Sequence, residues 1–257
     1  MSGTELSANK QSADRKKRLL IIVDSDGAHL YYVSILLQRL EYTIYTTKTA
    51  EEALEIMDIS IPSLVLTDAE LSRMSGIDFL KQLKRNPRTK SIPVIAYSMA
   101  KDPVVMETCL RAGAAAFLKK PIDAEAMYAA IQKATETTPR SYVRLNTCLD
   151  VIVGDEVGSN ASRFDECVTA LSESGMYVSS AKTRAKGTQL PITIFLGDSV
   201  VKAVGVVLYT FDSSTSPLRK PGMGIKFVQI RPEDQTLIRA YIDKQLTDDL
   251  PKGRGRG

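Results

Sequence analysis

Tryptophan is absent, histidine occurs once as His29, cysteine occurs three times, and aromatic residues make up only 6% of the chain. Each scarcity excludes something. One histidine rules out a multi-histidine metal site and weakens any Ser/His or Cys/His catalytic reading, because such a nucleophile needs a base beside it. Cys109, Cys148 and Cys167 are widely spaced, odd in number and lack metal-ligand spacing. They read as reduced thiols. The net charge of +4 over 257 residues is small. No segment expected to fold is strongly basic, so a specific nucleic-acid partner gains no support. Long apolar runs are missing too. "LLIIV" at 19–23 is too short for a signal-peptide core and is followed by the acidic "DSD". No window is long and apolar enough to span a bilayer. The expected location is the cytoplasm, with no membrane span.

What is present suffices for two ordinary domains: 44% hydrophobic and 25% charged residues. Residues 1–17 are polar and without periodicity, and read as a flexible tail. A short basic tail, residues 248–257, closes the chain. Between 18 and 137 strand-like and helix-like patterns alternate. "RLLIIVD", "SLVLTD" and "IPVIAYS" are apolar runs suited to strands buried on both faces. "AHLYYVSILLQRL", "GIDFLKQLKR" and "DAEAMYAAIQKAT" carry helical spacing. "TAEEALEIM" opens with a capping box, Thr49 to Glu52. Five strand–helix pairs predict an α/β doubly wound, parallel sheet with helices on both faces.

The rhythm changes at "TETTPR", 135–140. Strands then follow without intervening helices, at about 144–153, 163–170, 175–180, 190–196, 200–211 and 222–230. That pattern predicts a small antiparallel β-barrel. Pro232 and the early acids of "RPEDQTLIRAYIDKQL" start a C-terminal helix, with Leu237, Ile238, Tyr241 and Ile242 as its apolar positions. The second domain is placed at 138–247.

In an open α/β sheet the chemistry lies at the carboxyl ends of the strands. Those ends hold Asp24 and Asp26, then Asp68, Ser98 and Lys120. Gathered carboxylates suit a hard cation such as Mg²⁺. A lysine and a hydroxyl suit a phosphoryl group, and an aspartate beside Mg²⁺ can attack phosphorus. In this order the residues are specific: "LLIIVDSD", "LVLTDAELSRMSGIDFL", "IPVIAYS" and "AGAAAFLKKPID" resemble the receiver domain of bacterial response regulators. The resemblance implies Asp68 as phosphoacceptor, Asp24 as a metal ligand with Asp26 a further candidate, Lys120 as phosphate partner, Ser98 as switch hydroxyl and Phe117 as the aromatic that follows it. It also implies a histidine kinase as phosphate donor. Two departures stand out. Ser25 occupies the place of a second acid, which should weaken Mg²⁺ binding, and the bulky Met99 follows Ser98 where the family prefers a small residue, so crowding of the phosphate pocket is expected.

The barrel opens with "PRSYVRLN", in which Arg140 and Arg144 are four apart. Guanidiniums can grip phosphates or a guanine edge with paired hydrogen bonds. Further on come "ALSESGMYV", "GTQLPITIFLG", "VKAVGVVLYT" and "GMGIKFVQIRPEDQ". This series resembles the PilZ domain, a barrel that serves as receptor for cyclic di-GMP. The family pattern is RxxxR followed by Asp/Asn-x-Ser-x-x-Gly. Arg140, Arg144, Ser172 and Gly175 fit it, and Ala170 stands where the Asp or Asn belongs. Losing that acceptor costs about 1–3 kcal/mol, or one to two decades of affinity. An acceptor restored at 170 should tighten binding if the site is otherwise intact.

The expected function is a two-component response regulator: a non-enzymatic switch whose receiver controls a PilZ-like output, a downstream protein partner or its own homodimerisation. The rival expectation is a scaffold that docks a protein without nucleotide. A phosphatase is disfavoured, since the barrel offers no nucleophile paired with a base.

Overall fold

The structure, a computed structural model, describes residues 18–99, 103–137, 139, 142–154, 166–211 and 221–248. Arg140 and the predicted tails, apart from Asp248, lie outside these residues. The described residues divide into two compact units, one up to residue 139 together with 247–248 and the other over residues 142–246.

The first unit is the predicted α/β sheet. Strands β1 (Leu19–Val23), β2 (Thr43–Thr47), β3 (Leu64–Asp68), β4 (Val94–Ser98) and β5 (Ala116–Lys119) form one sheet in the order β2-β1-β3-β4-β5. All described pairings are parallel. Strands β3 and β4 are buried along their whole length, as apolar runs covered on both faces must be. Helices α1 (Gly27–Arg39), α2 (Ala50–Ile59), α3 (Gly76–Arg85), α4 (Pro103–Arg111) and α5 (Ala124–Thr135) provide that cover. The predicted cap of α2 forms, with Thr49 accepting from the Glu52 amide. Glu52 reaches back one residue further than a capping box requires, to the Lys48 amide.

The second unit is a closed six-stranded barrel, β10-β11-β8-β7-β6-β9. Its strands are β6 (Leu145–Val153), β7 (Cys167–Ser172), β8 (Gly175–Ser179), β9 (Gln189–Leu196), β10 (Ser199–Phe211) and β11 (Gly222–Ile230). Closure removes the exposed strand edges. Burial alternates along β6, β9 and β10, so Val151, Ile194, Val201 and Val207 fill the interior. Strand β7 runs two residues past the predicted end at 170, because Leu171 and Ser172 pair with Met176 and Gly175. Helix α6 (Pro232–Thr247) follows. Its buried positions are Asp234, Ile238, Ile242 and Leu246, a strict four-residue repeat. Leu237, expected on that face, is 37% exposed.

Candidate functional site

The carboxyl edge of the first sheet gathers a buried charged cluster. Asp24 follows β1, Asp68 ends β3, Ser98 ends β4 and Lys120 follows β5; all four are buried. Lys120 Nζ lies 2.5 Å from Asp68 Oδ2 and 2.8 Å from Asp24 Oδ2. One ammonium therefore bridges both acids. It also sits 5.1 Å over the ring of Tyr97, whose hydroxyl donates to the Val23 carbonyl. The backbone at Asp68 is set by a close approach. Gly76 opens α3 so near β3 that a Cβ on it would lie 1.7 Å from the Asp68 carbonyl oxygen. Only glycine fits there.

The two carboxylates differ electrostatically. Burial pushes both upward, since desolvation disfavours charge. At Asp24 the bonds from His29, Lys120 and the Asp26 amide outweigh it, and the carboxyl lies below its ordinary value. At Asp68 burial prevails over Lys120 and the Glu70 amide, and the nearby Asp24 charge adds to the rise. Burial would depress Lys120, but its bonds to Asp24 and Asp68 hold it above the ordinary lysine value. Two carboxylates against one ammonium leave the pocket short of positive charge.

Other sequence candidates take definite places. Ser98 donates to Glu70 Oε2 at 2.9 Å. Phe117 is half-buried on β5 and packs against Ala69, Ala96 and Cys109. Asp26 caps α1, its carboxylate accepting from the Ala28 and His29 amides. Ser25 is exposed. Met99 is 59% exposed, so the expected crowding of the pocket by its side chain does not occur. Two contributors escaped the sequence reading. His29 Nδ1 lies 2.6 Å from Asp24 Oδ2, and its ring packs 5.2 Å from that of Tyr97. Glu70 ties the loop after β3 to Ser98. The signals were local: His29 lies in the first turn of the helix that Asp26 caps, and Glu70 lies two residues beyond Asp68.

Residues 20–132 match the family described as the response regulator receiver domain. The two-component response regulator ORR3 of Oryza sativa subsp. indica is 31% identical over 104 residues, which are 40% of this chain and 79% of that protein. The chain belongs to the response regulator receiver family. ORR7 of Oryza sativa subsp. japonica is 33% identical over 105 residues, and there the match spans only 50% of the relative. Among solved structures, the chemotaxis response regulator CheY4 of Vibrio cholerae is 22% identical, with a TM-score of 0.43 over 46% of this chain and 98% of that one. The receiver match ends before the barrel, which is read from its own geometry.

On the barrel, Arg144, Ala170, Ser172 and Gly175 line one pocket of about 140 Å³, together with Tyr177 and Lys226. The fold thus brings together the described residues of the expected pattern. Two of them are also occupied structurally. Ser172 and Gly175 pair across a two-residue turn, and the Ser172 hydroxyl donates to the Gly175 carbonyl at 3.0 Å. Gly175 packs so tightly on β11 that a Cβ would lie 2.3 Å from the Ile225 carbonyl oxygen. Between them Glu173, itself buried, accepts a paired bond from Arg239 of α6 at 3.0 and 2.7 Å. That clamp was not foreseen, because a turn glutamate ordinarily faces water.

Proposed function

We propose that the receiver accepts a phosphoryl group on Asp68 from a histidine kinase and that the barrel is a PilZ-like output module that binds cyclic di-GMP. The observation that carries the receiver half is Lys120 Nζ held between Asp68 and Asp24 at the carboxyl edge of the sheet. In the transfer, an Asp68 carboxylate oxygen forms the new bond to phosphorus while the phosphorus–nitrogen bond of the donor phosphohistidine breaks, and the imidazole leaves with the electron pair. Lys120 then turns from the bare carboxylate to the added phosphoryl oxygens. Ser98 exchanges its bond to Glu70 for one to the phosphoryl group, and Phe117, next to the small Ala96 and Ala69, moves with it.

The donor set suits a hard divalent cation in part. Asp24 and Asp68 are two converging carboxylates with surplus negative charge, and they would hold Mg²⁺. Asp26 is committed to its helix cap, and Ser25 offers no carboxylate. Mg²⁺ supplies charge neutralisation for the incoming phosphoryl group, and binding should be weak for want of a third acid.

For the barrel, support comes from Arg144 beside the Ser172–Gly175 hairpin and from the aromatic wall of Tyr177. A second reading is a scaffold without nucleotide, favoured by the structural engagement of Ser172 and Gly175. Acetyl phosphate with Mg²⁺ should add one phosphoryl mass to the protein; an unchanged mass refutes the receiver half. Titration with cyclic di-GMP tests the barrel half. No heat at high micromolar ligand favours the scaffold.

A further inference from the structure

Directly opposed residues trace one straight row across the barrel. Asn146 on β6 faces Ala170 on β7. Ala170 faces Tyr177 on β8, Tyr177 faces Gly224 on β11, and Gly224 faces Tyr209 on β10. Opposed residues of antiparallel strands share a face. The neighbouring row, Leu145, Leu171, Met176, Ile225 and Val207, is buried in the interior. The first row therefore faces outward, because side chains alternate along a strand.

Two small residues leave hollows in this outer row. The one at Gly224 is filled: a Cβ there would lie 2.3 Å from the Tyr209 ring, and Tyr209 stacks with Tyr177 at 6.4 Å between centroids. The one at Ala170 opens into the pocket that Arg144 and Lys226 also line. On the outer face Ala170 is flanked by Asn146 of β6, just outside the residues that line the pocket, and by Tyr177 of β8, which lines it. Strands lie about 4.8 Å apart, so two spacings make a slot about 10 Å wide.

We infer that Asn146 is a ligand-reading residue, whose amide meets the edge of a base seated over Ala170 against Tyr177. The inference rests on the nucleotide reading of the barrel given above. An amide offers both a donor and an acceptor and pairs with base edges. An aromatic wall stacks a base, and the two cations flanking the slot attract phosphates. Arg144 lies two residues before Asn146, just ahead of β6, and both are exposed. The acceptor that Ala170 lacks is thus supplied from the neighbouring strand. Asn146 is exposed, so its replacement leaves the barrel core intact.

Calorimetric titration of the full chain with cyclic di-GMP tests this. Asn146→Ala should weaken binding about ten-fold or more, the loss expected for one well-placed hydrogen bond. Adding Ala170→Asp to that variant should restore most of the loss, since both groups serve the same base edge. Wild-type affinity in Asn146→Ala, with Arg144→Ala abolishing binding, would overturn the inference alone. A weakened Asn146→Ala that Ala170→Asp fails to rescue would overturn it as well. No binding by the wild type would overturn both the inference and the nucleotide reading beneath it.

Discussion

At the carboxyl edge of the receiver sheet, Lys120 closes on two buried carboxylates, each of which also accepts one backbone amide two residues on, Asp26 for Asp24 and Glu70 for Asp68. On the β7–β8 hairpin of the barrel, Ser172 and Gly175 make a bond and a close contact that the hairpin does need. Buried charge is costly unless it is paired, and a cluster of it calls for an explanation outside packing. A serine and a glycine in a tight turn call for none. The same kind of evidence, residues at motif spacing, therefore weighs differently in the two units. In the receiver the geometry adds chemistry to the pattern. In the barrel the geometry accounts for half of the pattern structurally, and under the nucleotide reading proposed above ligand recognition would fall to the groups left over: Arg144, Asn146, Tyr177 and Lys226.

Substitutions should separate the two cases. The largest effect is expected at Lys120. Lys120→Ala leaves Asp24 and Asp68 facing each other without a cation and should cost the receiver about 3–5 kcal/mol in denaturant unfolding. Next is Gly175→Ala, whose Cβ meets the Ile225 carbonyl. It should cost the barrel about 1–3 kcal/mol with or without nucleotide, as overpacking does. A Gly175→Ala barrel of unchanged stability that loses nucleotide would return glycine to a ligand role. Ser172→Ala should cost about 1 kcal/mol, the worth of one hydrogen bond, and leave cyclic di-GMP affinity within a few-fold.

The smallest effect is one of pH. Asp24, depressed in the folded state, contributes stability that is fully present above the ordinary carboxylate range and is lost as pH falls through its folded value. Asp68, raised in the folded state, contributes in the opposite sense: its stabilisation is present below the ordinary value and is lost as pH rises through the folded one. Asp24→Asn should therefore flatten the acid limb of the stability curve, whereas Asp68→Asn should relieve a burden at neutral pH. Thermal unfolding from acid to neutral pH reads both, and identical profiles for the two variants would remove the distinction drawn between them.

Much of this was legible in the sequence. Continuous apolar runs such as "LLIIV" and "LVLTD" predicted buried parallel strands, and loss of the helical rhythm after residue 135 predicted the barrel. Asp24, Asp68, Ser98 and Lys120 could be picked out because parallel topology delivers strand ends to one edge. What pattern could not supply was pairing between distant residues. Asn146 acquires meaning only from its register opposite Ala170, and Glu173 only from Arg239, 66 residues away. Direction was hidden too. Met99, expected to crowd the pocket, faces solvent, and Leu237, one of the expected apolar positions of α6, lies one position off its buried stripe.

The account turns on Asp68. The measurement that tests it most directly is peptide mapping of the protein after exposure to acetyl phosphate and Mg²⁺, for the wild type and Asp68→Asn together. The phosphoryl group should lie on the peptide containing Asp68 and be absent from the variant. Label on another carboxylate, or no label on the wild type, would contradict the role assigned here to the Lys120 cluster.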